Sequence, residues 1–251
     1  MLTQTTFTWI WIAIAVITFF YLLFFRTAPY GRHSSESWGP TISNRVGWIM
    51  MELPALLLFL FFYIQGSTYV SQGVLVFVVA WCVHYFIRSV VFPLRIKTTG
   101  KRMPVIIMFS AICFNAVNTY LIASYLAANA ERYTMDWFGS WQFILGFSLF
   151  LIGFGINQYS DYLLIHLRDP GETNYKIPNG FLFRFISCPN LFGELVEWLG
   201  FAIMTWCLPS WAFFAWTFAN LVPRAIAHHK WYLDKFPNYP KVRKAIFPFI
   251  W

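Results

Sequence analysis

The sequence predicts an all-α, polytopic membrane protein, and three observations carry that prediction. Hydrophobic residues make up 59% of the 251 positions and charged residues only 11%, roughly half of what a soluble domain carries to keep its surface wet. Aromatics reach 22%, with 29 Phe and 13 Trp, as expected where rings face lipid tails and headgroup belts. Several apolar stretches approach the roughly 20 residues that cross a bilayer core. No Ser/Gly linker, charge block, low-complexity tract or internal repeat divides the chain, so 1–251 reads as one transmembrane domain.

The spans follow in order. Residues 1–25 carry no charge and lack the basic leader and small-residue cleavage site of a signal peptide, which makes them a span. A second covers about 47–64, interrupted only by Glu52, and a third about 73–92, containing His84 and Arg88. The fourth, about 104–128, is uncharged, and the fifth, about 137–167, is uncharged until Asp161. Residues 185–227 leave room for two spans turning at Leu208-Pro209-Ser210, or for one long helix over 198–222. Charge decides. Seven spans put 17 of the 18 Lys and Arg on one side, with only Arg132 opposite, whereas six would move the six basic tail residues across. The positive-inside rule therefore predicts seven helices, amino terminus outside and carboxyl terminus cytoplasmic.

The net charge of +8 follows from cytoplasmic loops meeting anionic membrane lipids and calls for no nucleic acid. Cys82, Cys113, Cys188 and Cys207 form no C-x-x-C pair, which supports neither a disulfide framework nor a zinc site. No N-glycosylation sequon occurs.

Ionisable groups at membrane depth are costly and normally face a protein interior or a wet cavity. Here they recur with helical spacing. Asn157, Asp161 and Arg168 on the fifth helix fall within roughly 40° of one another at 100° per residue. Asn190, Glu194 and Glu197, at offsets 0, 4 and 7, also share one helix face, as do Arg224, His228, Tyr232 and Lys235, at 0, 4, 8 and 11, after the last span. One reading is a self-satisfied network in which Asp161 or Glu194 pairs with Arg168 or Arg224. The stripes supply more groups than two or three ion pairs consume, which favours a water-filled pocket opening to the cytoplasm. Its carboxylates, amides and arginines suit a cofactor with hydroxyls, amides and phosphates. Gly153-Phe-Gly155 begins like a dinucleotide-binding glycine pattern, but Gln158 stands where the third glycine belongs and no strand precedes it. Those glycines read as helix packing.

Glu52 lies a few residues into the second span, beside Pro54 and with no charged neighbour. A carboxyl at the interface could stay neutral or snorkel to headgroups. A buried one with a raised pKa donates a hydrogen bond at neutral pH, which suits it to polarise a carbonyl. Tyr85 is its natural companion in His84-Tyr85-Phe86-Ile87-Arg88. A lone Tyr in a span is commonly a packing residue, but His84 and Arg88 beside it both need polar surroundings. His228-His229 invites a metal reading, yet adjacent helical residues point about 100° apart and no third ligand is evident.

These residues also carry a resemblance. Asn157-Gln-Tyr-Ser-Asp161-Tyr-Leu-Leu-Ile-His-Leu-Arg168, then Pro170-Gly171-Glu172, Tyr175-Lys176-Ile177-Pro178 and Gly180, resemble the steroid 5α-reductases, the type 1 and type 2 enzymes in particular. Asn190-Leu-Phe-Gly193-Glu194-Leu-Val-Glu197-Trp198, His228-His229-Lys-Trp-Tyr232, Phe236-Pro-Asn-Tyr239-Pro240-Lys-Val-Arg243-Lys244 and Pro248-Phe249 are similar too. So are Glu52-Leu-Pro54 and His84-Tyr85-Phe86-x-Arg88, and the likeness covers 52–251. It departs at Lys97-Thr98-Thr99, where an Asn-Arg pair is expected in a shorter loop. Lys176 stands where some members have Arg, keeping the charge and losing the planar fork.

The resemblance implies seven transmembrane helices and NADPH binding by Asn157, Asp161, Arg168, Tyr175, Asn190, Glu194, Arg224, His228 and Tyr232. Lys176 and Glu197 are counted with them, and Arg88 and Lys101 are expected near the phosphates. Glu52 and Tyr85 are expected to hold the 3-oxo group of a steroid, or similar apolar enone, that enters from the lipid. The implied reaction is reduction of the Δ4 double bond of 3-oxo-Δ4 steroids. A related reductase of enoyl thioesters or polyprenols would use the same cofactor stripes without needing the Glu52 carboxyl. A transporter would show repeat symmetry or paired broken helices, and a methyltransferase cofactor has no phosphate for the arginines. The expected setting is the endoplasmic reticulum membrane of a eukaryote or the inner membrane of a bacterium.

Overall fold

A computed structural model describes residues 3–26, 38–67, 71–97, 100–169, 172 and 174–250. Arg32 of the first basic loop, Thr98-Thr99 and Pro170-Gly171 lie outside the described residues. Among the described residues the regular structure is helical apart from one small ribbon: α1 (Gln4–Phe24), β1 (Thr41–Ser43), α2 (Asn44–Gly66), α3 (Gln72–Phe86), α4 (Phe92–Arg95), β2 (Arg102–Pro104), α5 (Val105–Ala128), α6 (Trp141–His166), α7 (Pro189–Thr205) and α8 (Leu208–Lys235). A π turn, Ile87–Val91, joins α3 to α4. Among the described residues five helices are long and apolar enough to cross a membrane: α1, α2, the continuous Gln72–Arg95 segment, α5 and α6. Each matches an expected span, and exposed apolar side chains such as Ile17, Phe24, Leu57, Ile106 and Ile152 suit lipid contact. The chain forms two compact units.

The first unit comprises Met1–Thr8, Ala28–Ile144 and Cys207–Ser210. Its main packing is α2 along α5. Pro54 removes a rung of α2 and crowds the carbonyls of the preceding turn, where Met51 O accepts the Asn115 amide from α5 at 2.6 Å. Trp81 Nε1 donates to Ala55 O at 2.9 Å, and Trp48 Nε1 to Arg88 O at 3.1 Å. These two bonds set the register. The segments run antiparallel, so Glu52, midway between Trp48 and Ala55, lies level with His84 and Tyr85. The ribbon β1–β2, antiparallel with Ile42 opposite Met103, was not expected from periodicity. Its strands have three residues each, too few to show a period of two.

The second unit comprises Trp9–Thr27, Leu145–Trp206 and Trp211–Trp251. α6 and α7 meet backbone to backbone at four glycines. A Cβ on Gly153 would lie 2.2 Å from Glu197 N, on Gly193 2.4 Å from Asn157 N, on Gly146 2.3 Å from Met204 N and on Gly200 2.3 Å from Phe150 N. The helices are therefore antiparallel, in the small-residue packing that brings membrane helices close. α7 packs on α8 through Leu195, Val222 and Ala225, with Phe19 of α1 and Ile246 of the tail. α7 ends at Trp206, a left-handed cap with φ of 47°. This rules out one long helix over 198–222. Leu208-Pro209-Ser210 opens α8 instead of forming the turn, because proline fits a helix's first positions.

The glycine seam makes a prediction. Gly155 has open space where a Cβ would go, so Gly155→Ala should leave thermal stability in detergent unchanged or slightly raised. Gly153→Ala should cost about 1–3 kcal/mol by forcing α6 from α7. Equal melting temperatures for the two variants would show that the seam is not a tight contact.

Candidate active site

In the second unit the seam places two of the polar stripes against each other. Asn157, 1% exposed, donates from Nδ2 to Asn190 O at 3.0 Å. Asn190 Nδ2 in turn donates to Asp161 Oδ1 at 3.1 Å, and Gln158 Nε2 donates to Asn157 Oδ1 at 2.9 Å. Asn157 and Asp161 are one turn apart on α6, and Asn190 lies in the first turn of α7, so the network closes across the interface. Glu194 is half-buried one turn on, and Glu197 is fully buried beyond it. On α8, Arg224 and His228 are half-buried on successive turns and Tyr232 is buried. α8 continues without a break to Lys235, so this stripe extends the last helix itself.

Arg168 departs from its expected phase. α6 ends at His166, whose Nδ1 bonds Tyr162 O at 2.8 Å, and the helical period does not reach Arg168. Asp169 precedes proline, which disfavours helical backbone there. The Arg168 guanidinium lies 5.9 Å from the Tyr175 ring centroid, and Tyr175 meets Trp231 edge-on at 4.8 Å. Lys176 pairs with Glu172 at 2.5 Å and with Asp169 at 3.6 Å. The hydrogen bond from Lys176 holds the Glu172 carboxyl below its usual pKa, and the same bond raises the Lys176 ammonium.

In the first unit Glu52 is half-buried on α2 and Tyr85 is buried on α3. Tyr85 packs on Trp81 at 4.8 Å, and Trp81 stacks on Phe59 at 4.7 Å, which fixes the phenol's direction from beneath. Ser89 Oγ donates to Tyr85 O at 2.6 Å. Arg88 sits in the π turn, where Phe92 N–H reaches back five residues to Ile87 O; such widened turns are frequent at functional sites. Its guanidinium lies over the rings of Trp48 at 5.0 Å and Phe92 at 4.7 Å, a cation–π arrangement. Lys101 is half-buried at the ribbon's edge, its carbonyl accepting Asn44 N–H at 3.0 Å.

Periodicity did not reveal one buried cluster in the second unit. Ser187 Oγ bonds both His229 Nδ1 at 2.6 Å and the Tyr239 hydroxyl at 2.7 Å. Tyr239 stacks on Tyr232 at 5.1 Å, with the ring planes 9° apart. Ser187 lies in a loop with no repeat to expose it; His229 and Tyr239 were visible only as parts of motifs. Among the described residues no three His, Cys, Asp or Glu gather as metal ligands.

Apolar spans joined by buried amides and a carboxylate define a polytopic membrane protein with a polar site. The model of the 3-oxo-5-alpha-steroid 4-dehydrogenase family matches residues 101–251, which hold every polar residue of the second-unit site. Steroid 5-alpha-reductase DET2 of Gossypium hirsutum is 42% identical over 233 residues, covering 91% of this chain and 90% of the relative. 3-oxo-5-alpha-steroid 4-dehydrogenase 1 of Homo sapiens is 41% identical over 223 residues, covering 88% and 85%. The chain belongs to the 3-oxo-5-alpha-steroid 4-dehydrogenase family. The likeness extends upstream of Glu52, beyond the stretch in which motifs are recognisable.

His229 supplies a pH prediction. It lies past the apolar part of α8, and burial, then the Lys244 ammonium, push its pKa below the ordinary 6.5. A depressed folded pKa means that its stabilisation is present above the unfolded value. That contribution is lost as pH falls from about 6.5 through the folded pKa. His229→Gln keeps an acceptor for Ser187 but cannot titrate. Its melting temperature should fall less steeply on acidification than the wild type's. Identical slopes would remove His229 from the acid response.

Proposed function

We propose that this protein catalyses the NADPH-dependent reduction of the Δ4 double bond of 3-oxo-Δ4 steroids to 5α-steroids. The observation that carries the proposal is the Asn157–Asn190–Asp161 network, which joins the apolar helix α6 to α7 inside the segment that the family model matches. The family membership supplies the reaction class. The donor set fits a dinucleotide: amides and carboxylates for an amide and ribose hydroxyls, arginines and a lysine for phosphates. Ser160, fully buried one residue before Asp161, has a hydroxyl without a hydrogen-bond partner among the described residues, a further polar group with capacity to spare.

Asn157, Asp161, Asn190, Glu194, Glu197, Arg224, His228 and Tyr232 would hold the nicotinamide and ribose portions. Arg168, Tyr175, Lys176, Arg88 and Lys101 would serve the charged and aromatic remainder. When bound, NADPH supplies the hydride that reduces the enone's β-carbon. Glu52 and Tyr85, level with each other on α2 and α3, would donate hydrogen bonds to the 3-oxo oxygen as negative charge develops on it. Such donors count most where water is excluded. The Glu52 carboxyl must be protonated for this role, so that it can donate rather than accept.

The topology completes the proposal. α7 has 17 residues, near the lower limit for a crossing, and α8 carries its charges in its second half. With α7 and α8 counted as spans, seven crossings leave the basic loops cytoplasmic. The membrane is that of the endoplasmic reticulum in a eukaryote or the inner membrane in a bacterium, and an apolar steroid would enter from the lipid.

Detergent-purified protein should oxidise NADPH with a 3-oxo-Δ4 steroid and not with an enoyl thioester. Glu52→Gln and Tyr85→Phe should each retain NADPH binding and lose about 100-fold or more in turnover, the scale of removing an oxyanion donor. Arg168→Ala should weaken NADPH binding about tenfold. Thioester-dependent oxidation would transfer the substrate to the enoyl or polyprenol class. Wild-type turnover in both Glu52→Gln and Tyr85→Phe would remove the carbonyl-polarising role.

A further inference from the structure

We infer that the tail segment 236–247 is a strap that positions the cofactor-binding side chains of the second unit, with Arg243 and Tyr239 as its positioning residues; this rests on the cofactor role proposed above. Arg243 is 4% exposed; its Nε finds no hydrogen-bond partner among the described residues, so the two terminal nitrogens carry the attachment of the buried guanidinium. Nη1 donates to Pro178 O at 2.9 Å and Nη2 to Asn179 Oδ1 at 2.6 Å. Those acceptors lie directly after Tyr175, Lys176 and Ile177, in a stretch with no helix or strand of its own. Gly180 follows with φ of +82° and reverses the chain. The loop that presents Tyr175 and Lys176 is therefore held by a fork from the tail rather than by a backbone ladder.

Tyr239 makes the second attachment. It lies 5.1 Å beneath the Arg243 guanidinium and 5.1 Å from Tyr232 in a nearly parallel stack. Its hydroxyl shares Ser187 with His229. The third attachment is main chain: Ser187 N donates to Lys244 O at 2.8 Å and Lys244 N to Phe185 O at 2.9 Å, while Ile246 is buried against α7 and α8. One segment thus fixes the 175–179 loop, the 185–187 turn and the last turns of α8. An open cleft of about 410 Å³ lies between loop and tail, with Tyr175, Lys176 and Asn179 on one wall and Phe236 and Asn238 on the other.

A purely structural arginine would act on stability alone, whereas a positioning residue acts on NADPH affinity. Lysine at position 243 keeps the charge but cannot span both acceptors. Asn179→Ala removes the exposed partner and leaves the buried guanidinium in place, so it remains informative if Arg243→Lys misfolds. NADPH dissociation constants should be measured on the full chain in detergent for the wild type, both single variants and the double. Each single variant should bind NADPH about tenfold more weakly, and the double no more weakly than the worse single, because both remove the same contact. The steroid KM should stay unchanged. Wild-type affinity in Asn179→Ala, or additive losses in the double, would overturn the strap while leaving NADPH use intact. A wild-type protein that binds no NADPH would overturn the proposed function and the strap with it.

Discussion

The contact on which the second unit depends is the backbone approach of α6 and α7 at Gly146, Gly153, Gly193 and Gly200. Between ordinary side chains, helix axes stay about 8–10 Å apart; missing side chains at these glycines let α6 and α7 come nearer and bring the facing backbone within easy reach of the Asn157 amide. Here it reaches Asn190 O at 3.0 Å. Glycines seven residues apart on each helix keep the close approach over one heptad, and the antiparallel register puts Asn190 beside Asp161. The polar network is thus a consequence of missing side chains elsewhere on the same face. Gly153 also explains why a dinucleotide-like glycine pattern appears without a phosphate loop. Its hydrogen makes room for another helix, and any phosphate in this fold must be met by side chains.

The first unit solves a related problem by other means. Pro54 and the π turn each disturb a ladder that lipid cannot repair. Side chains brace the backbone beside each irregularity: Asn115 bonds Met51 O and Trp81 bonds Ala55 O on either side of Pro54, and Trp48 bonds Arg88 O in the π turn. Two of these donors are indoles that also pack, Trp81 under Tyr85 and Trp48 under Arg88. Irregular backbone is tolerated here because it is enclosed by partners.

Much of this was legible in the sequence. The five apolar spans were, because lipid imposes length and polarity on each separately. The Asn157/Asp161 and Asn190/Glu194 stripes were also legible, since a period of 3.6 needs only two turns to show. Arg168 was misplaced in phase because the helix stops two residues earlier, where the approaching proline outweighs the pattern. The β1–β2 ribbon left no period to read. Of the seam glycines only Gly153 was read as helix packing, together with Gly155, which faces open space; sequence alone does not say which helix faces which. Tyr239 and Arg243 were visible as a motif without a role. Their partners, Ser187 and the Pro178 carbonyl, are more than 50 residues away and come from loops, so only the folded chain brings them together.

That last case bears on how such a protein divides labour. Helices can set the spacing of Asn157, Asp161 and Asn190 by register alone, because each turn is rigidly related to the next. The 174–180 loop has no such reference and carries Tyr175 and Lys176, whose charge is already balanced by Glu172 and Asp169. Left to itself, a loop of this kind would spend conformational entropy on every binding event. A buried arginine fork transfers the rigidity of α8 to it through Tyr239 and Tyr232, at the cost of desolvating one guanidinium. Tethering the loop to the helix that also bears Arg224 and His228 lets one rigid element set both the buried and the exposed parts of the proposed cofactor contact.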